Sequence, residues 1–92
     1  MIKLFRLISN EEIIAFCNEC ENGWEIENPT LIVPTENGIG LMPMMPYSKV
    51  QEQKTFLKES VIAFVTEPVP QLVEKFKGIH SKVYMPESGI VI

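Results

Sequence analysis

The dipeptide Asn22-Gly23 lies between two runs of β-forming residues, and its readiness for positive φ makes it the strongest short-range hairpin signal a chain can carry. A hairpin over Glu12 to Val33 is the feature to which everything else must conform. In its second arm Trp24 and Ile26 alternate with Glu25 and Glu27, so one face packs and the other meets water. The alternation breaks at Asn28-Pro29. Pro29 has no N–H to give to a ladder and biases Asn28 toward an extended conformation, which predicts a bend, a bulge or an edge there. Leu31, Ile32 and Val33 follow as a run that needs cover on both sides. A long hairpin bent partway along one arm is how a small sheet begins to close on itself.

The other strands fall into place around it. Residues 2–8 alternate in a way that suits a first strand, and Ser9-Asn10-Glu11 makes a turn. The first arm of the hairpin opens with five apolar residues, Ile13 to Cys17, so its first half is buried on both faces. Pro34 to Gly38 is a second turn. In Ile39 to Tyr47, Pro43 and Pro46 exclude a helix and a central strand, leaving an extended edge segment or an ordered loop, with Met42, Met44 and Met45 as adaptable apolar contacts. After a polar loop, Ser48 to Gln53, come Lys54 to Leu57, a tight Lys58-Glu59-Ser60 turn, and Val61 to Val65. Val69, Leu72, Val73 and Phe76 then form one apolar stripe at helical spacing, which predicts a helix over 68–77 with Gly78 as its left-handed stop. So short a helix must dock, most simply over the open end of the barrel. Residues 1–78 thus form one domain and 79–92 a tail ending in Ile90-Val91-Ile92.

Ninety-two residues with 46% apolar types make one thin-cored domain that cannot bury all its apolar runs, so some are expected to face another subunit. The net charge of −4 is uneven: residues 1–38 hold two basic and seven acidic side chains (−5), residues 39–92 six and five (+1). An acidic total argues against a broad phosphate-neutralising surface and leaves room for a small basic patch repeated by symmetry. The opening apolar stretch is too short and interrupted for a signal peptide, and no run reaches membrane-spanning length, so a cytoplasmic location without membrane attachment is expected.

Candidate chemistry is sparse. Cys17 and Cys20 have the spacing of a redox or zinc pair, yet on a strand they point to opposite faces, and His80 is the one further soft ligand. They read as small apolar strand residues. His80, the sole histidine, reads as an exposed surface residue after the helix. Asp is absent, the glutamates are scattered, and no Gly-rich phosphate cradle precedes a helix. The expectation is a non-enzyme with no catalytic residue, metal or cofactor. Trp24 fits core or interface packing better than base stacking. Lys49, Lys54 and Lys58 fit two readings equally, a phosphate-contacting strip or edge lysines that block aggregation.

The order of elements, with a bent third strand ending Leu31-Ile32-Val33 and two late strands flanking Leu57-Lys58-Glu59-Ser60-Val61, resembles the Sm-like fold of the Sm, Lsm and Hfq proteins over residues 2–66. The overall look is closest to the Sm-like proteins of marine cyanophages. The resemblance implies a mainly β fold: a small, strongly bent five-stranded open barrel of SH3-like type, here with a short C-terminal α-helix. In that family the late turn carries a basic residue, commonly Arg-Gly. Here Lys58 and Glu59 stand in that place, and Lys lacks the planar fork that stacks and binds bidentately. The usual glycine in strand two is also missing, with Ala15 nearest, and the helix follows the barrel instead of preceding it.

Family RNA pockets pair the basic turn with an Asn-bearing stretch near the start of strand three, so the implied RNA-binding residues are Lys58 with either Asn22 or Asn28. Family rings form when the last strand of one subunit pairs with the penultimate strand of the next, which also removes the two edges of an open barrel. The implied interface comprises Lys54, Thr55, Phe56 and Leu57 on one edge and Val61, Ile62, Ala63, Phe64, Val65 and Thr66 on the other. The expectation is a homo-oligomeric ring of five to seven subunits, five in the phage-like branch, that binds single-stranded RNA or acts as an RNA chaperone. A phage protein of this kind would work in the host cytoplasm. The alternative is a structural or adaptor ring for a protein partner, favoured by the acidic balance and the Met-Pro segment.

Overall fold

The structure, a computed structural model, describes residues 1–49 and 53–84. Within these residues six strands and one helix follow in order: β1 (Ile2–Leu7), β2 (Glu12–Cys20), β3 (Gly23–Thr35), β4 (Gly38–Pro43), β5 (Thr55–Lys58), β6 (Ile62–Thr66) and α1 (Pro70–Tyr84). A 3-10 turn at Glu59–Val61 joins β5 to β6. The fold is mainly β, an open, bent antiparallel sheet with one C-terminal helix, as the sequence predicts. Its strands run β4-β3-β2-β1-β6, with β5 also on β3. The sixth strand is Gly38–Pro43, which takes the extended edge form of the Met-Pro segment.

The 13-residue β3 organises the sheet. With β2 along one side, it gives its other side to two partners in turn, Thr55–Lys58 against Gly23–Ile26 and Gly38–Pro43 against Thr30–Thr35. Between them lies the predicted break. The β2–β3 register slips between Ile14 and Phe16, and the inward set on β3 changes from Trp24 and Ile26 to Leu31. An extra residue at this point bends the strand and re-aims its side chains. Asn28 is left-handed (φ 55) rather than extended, a conformation Asn tolerates better than most residues. The Thr30 hydroxyl donates to its carbonyl at 2.9 Å, and the Met44 N–H donates to the carbonyl of Pro29 at 3.1 Å, so the bend does not strand these acceptors.

The hairpin turn sits one residue earlier than the sequence signal. Glu21 and Asn22 form the loop, Asn22 with φ 68, and Gly23 already pairs with Cys20 as the first residue of β3. Close approach is what Gly23 supplies: a Cβ there would lie 2.2 Å from the Leu57 carbonyl oxygen and 2.7 Å from Cζ of Phe56.

Two apolar clusters lie on opposite faces of the sheet. Phe5, Leu7, Ile13, Ala15, Cys17, Ile26 and Leu57 form the inner one, with Trp24 packed at its side and edge-on to Phe5 at 5.4 Å. That is the packing role expected of Trp24. Ile14 belongs to the other cluster with Leu72 and Phe76 of α1, flanked by Ile2, Leu4, Phe16, Ile32 and Leu41. The start of β2 is thus buried on both faces, as its apolar run predicts.

The helix differs from expectation in length and place. It begins at Pro70 and passes through Gly78 to Tyr84, so the segment after 78 is not a tail from that point. A mid-helix glycine costs about 1 kcal/mol, and what continues the docked stripe beyond it is His80, packed on Phe76 and Phe16. Among the described side chains no helix residue belongs to the inner cluster: α1 covers the outer face of the sheet, where Ile2 and Leu4 of β1, Ile14 and Phe16 of β2, Ile32 of β3 and Leu41 of β4 needed cover. The apolar end at 90–92 lies outside the described residues.

Candidate nucleic-acid interface

The late turn and the hairpin loop meet. The Glu59 N–H donates to the Asn22 carbonyl at 3.0 Å, and Lys58 is cross-strand from Gly23. Asn22, Lys58, Glu59 and Ser60 are all exposed. Of the two asparagines, Asn22 therefore stands beside Lys58. Asn28 is only 5% exposed and sits in the bend of β3, where it shapes the strand.

Strand alternation sorts the neighbours of Lys58. Leu57 points into the inner cluster, cross-strand from Trp24, so among the edge residues it is a core side chain. Lys54, just before β5, together with Phe56 and Lys58, falls on the opposite side, and all three are exposed. An aromatic ring flanked by two ammonium groups is what the sequence reading of this strand missed. The signal was present in the alternation Lys54, Phe56, Lys58. Lys54 also reaches Glu25, Nζ to Oε1 3.8 Å, an exposed pair worth at most about 1 kcal/mol and easily screened. Lys58 makes no ion pair among the described residues.

Beside Lys54 a cleft of about 340 Å³ opens, lined among others by Met1, Phe16, Asn18, Glu25 and Glu27. Its walls come from separate segments, and no local pattern announces it. Glu25, Glu27 and Lys54 make it mixed in charge, unlike the strip that ends at Lys58.

The edge strands are as open as the sequence implies. Beyond its ladder with β1, β6 has no second partner strand among the described residues, and β5 has none beyond β3. Phe64, 69% exposed, and Val65 stand on β6, and Phe56 on β5. Val61 belongs to the 3-10 turn, so the last strand begins at Ile62. Ala63 and Thr66 are exposed with Phe64 and Val65, while Ile62, like Val61, is half-buried against the inner cluster; Thr55 is exposed on β5.

The remaining candidates resolve simply. Cys17 is buried in the inner cluster, where burial pushes its thiol pKa up, while Cys20 is exposed. Among the described residues no three of His, Cys, Asp or Glu are grouped closely enough to hold a metal, and no helix is long and apolar enough to cross a membrane. His80 is not an exposed surface residue. It lies on the docked side of α1, with its ring centroid 4.6 Å from that of Phe76 and 5.9 Å from that of Phe16. No protein-family model matches the chain, and no curated protein matches it as a relative.

Proposed function

We propose that the chain is the subunit of a cytoplasmic Sm-like homo-oligomeric ring that binds single-stranded RNA without catalysing a reaction, with one small basic site per subunit. The observation that carries this reading is the meeting of Asn22 with Lys58 beside exposed Phe56. Ammonium groups contact phosphates, the ring offers a stacking face to any base, and an asparagine amide reads donors and acceptors on a base edge. One such site is weak. Symmetry multiplies it, because a strand held at one subunit finds the next site at high effective concentration. Ring closure is supported by the open edges of β5 and β6, each bearing an exposed phenylalanine. Pairing β6 of one subunit with β5 of the next satisfies both edges.

Light scattering over a range of concentrations tests the ring: a constant mass of five to seven subunits is expected, and a monomer rejects it. Binding of a short labelled oligonucleotide at rising salt tests the site. Affinity should fall with salt, and Lys58→Ala should flatten the logarithmic slope by about 0.7 for each phosphate no longer neutralised. Absence of binding at low salt moves the function to the second reading, an adaptor ring for a protein partner. That reading is favoured by Met42, Met45 and Tyr47, which stand exposed on and beyond β4.

A further inference from the structure

The chain's one histidine is half-buried, with one of its two ring nitrogens enclosed. His80 continues the docked stripe of α1 one turn past Phe76, and its ring lies nearly perpendicular to Phe76 (70°) and Phe16 (68°). Its Nε2 is sealed from solvent and has no hydrogen-bond partner among the described residues. Among the described residues, Thr30, Leu41, Met42, Pro43 and Ile79 line with it a half-open pocket of about 70 Å³, and none of them can carry a charge. By position the nearest charged residue is Lys82, whose side chain lies outside the described residues; the nearest described ones are Lys77 and Glu74, exposed on α1, and Glu27, cross-strand from Phe16. Burial pushes the ring's pKa below 6.5.

We propose that His80 is a proton-operated latch: α1 docks with the imidazole neutral, and protonation releases the helix from the sheet, uncovering the apolar face around Ile14 and Phe16. An imidazolium has two N–H donors, and each needs an acceptor. The enclosed Nε2 would have none, and the edge of an aromatic ring is no substitute for a carbonyl or water. In the released helix the ring is hydrated and titrates near 6.5. Docking is therefore strongest above pH 6.5 and weakens as pH falls below it, the loss levelling off once pH drops under the docked-state value. Each unit by which docking lowers the pKa corresponds to a tenfold loss in the docking equilibrium. A helix of 15 residues is marginal in water alone, so release also costs helicity.

The test uses the full chain and needs neither RNA nor ring formation, so its outcome is separate from that of the proposed function. A single histidine gives one imidazole Cε1–H signal in NMR, which can be followed from pH 8 to pH 5 alongside amide exchange over residues 70–80. The expected result is a midpoint below 6.5, with helix protection falling at least tenfold over the same range. His80→Phe and His80→Gln should each abolish the pH dependence of protection above pH 5. A midpoint at or above 6.5, protection unchanged while the ring protonates, or the same acid release in either variant overturns the latch.

Discussion

Two phenylalanines mark two different ways of treating an apolar surface. Phe76 on α1 is fully buried against Ile14 and Phe16, while Phe64 on β6 is 69% exposed beside Arg6 of β1. The described residues hold one helix, α1, and it closes the outer face from β1 to β4, leaving the β5 and β6 edges uncovered. A 92-residue domain cannot wrap both surfaces. The covered surface serves stability, and under the ring reading the open one serves assembly.

The sharpest way to break that division is Phe76→Ala. Truncating a buried aromatic costs about 3–5 kcal/mol, and domains of this size have total stabilities of only about 5–15 kcal/mol. Urea unfolding should show stability lower by about 3–5 kcal/mol, with helical circular dichroism lost first. A change of under about 1 kcal/mol would mean that α1 is an ornament on the sheet. Gly23→Ala comes next. The new Cβ would collide with the Leu57 carbonyl and the Phe56 ring, so β5 must shift away from β3. Overpacking of this kind costs about 1–3 kcal/mol. For a domain of this length that lowers Tm by roughly 4–8 °C per kcal/mol; an unchanged Tm would show that β5 is free to move.

Asn28→Ala probes the bend that lets one strand serve both regions. A left-handed alanine costs about 1–2 kcal/mol, and Asn28→Gly should recover most of it, since glycine adopts φ near 55 without steric cost. Equal losses in the two variants would place the importance of Asn28 in its side chain instead of its backbone.

The bend was legible because it is written locally: the alternation of Trp24 and Ile26 cannot continue through Asn28-Pro29 into Leu31. The double burial at Ile13 to Cys17 and the stripe of Leu72 and Phe76 were legible for the same reason. What the sequence concealed is tertiary. Gly78 is a sound stop signal, but docking of the next turn overrides a penalty of about 1 kcal/mol. That error also displaced His80, which reads as surface only if the helix has ended. The Asn-Gly signal located the hairpin but missed its loop by one residue, because β5 needs Gly23 as a place of close approach. At the candidate site, Lys58 could be singled out by its turn. Its meeting with the hairpin loop is a long-range event, and two asparagines competed until the bend buried one of them.

Phe64→Ala makes the smallest change to the subunit and so sharpens the comparison most. Exposed substitutions usually stay within about 0.5 kcal/mol, and Phe64 lies outside both clusters. Unfolding of the variant, measured where wild type and variant are both dissociated, should therefore match wild type. The ring reading expects the effect elsewhere: assembly mass by light scattering should fall at a protein concentration where wild type holds together, because interface aromatics contribute more than their neighbours. If Phe64→Ala destabilised the dissociated subunit as strongly as Phe76→Ala, β6 would be part of the core, and the open edge would lose its claim to be an interface.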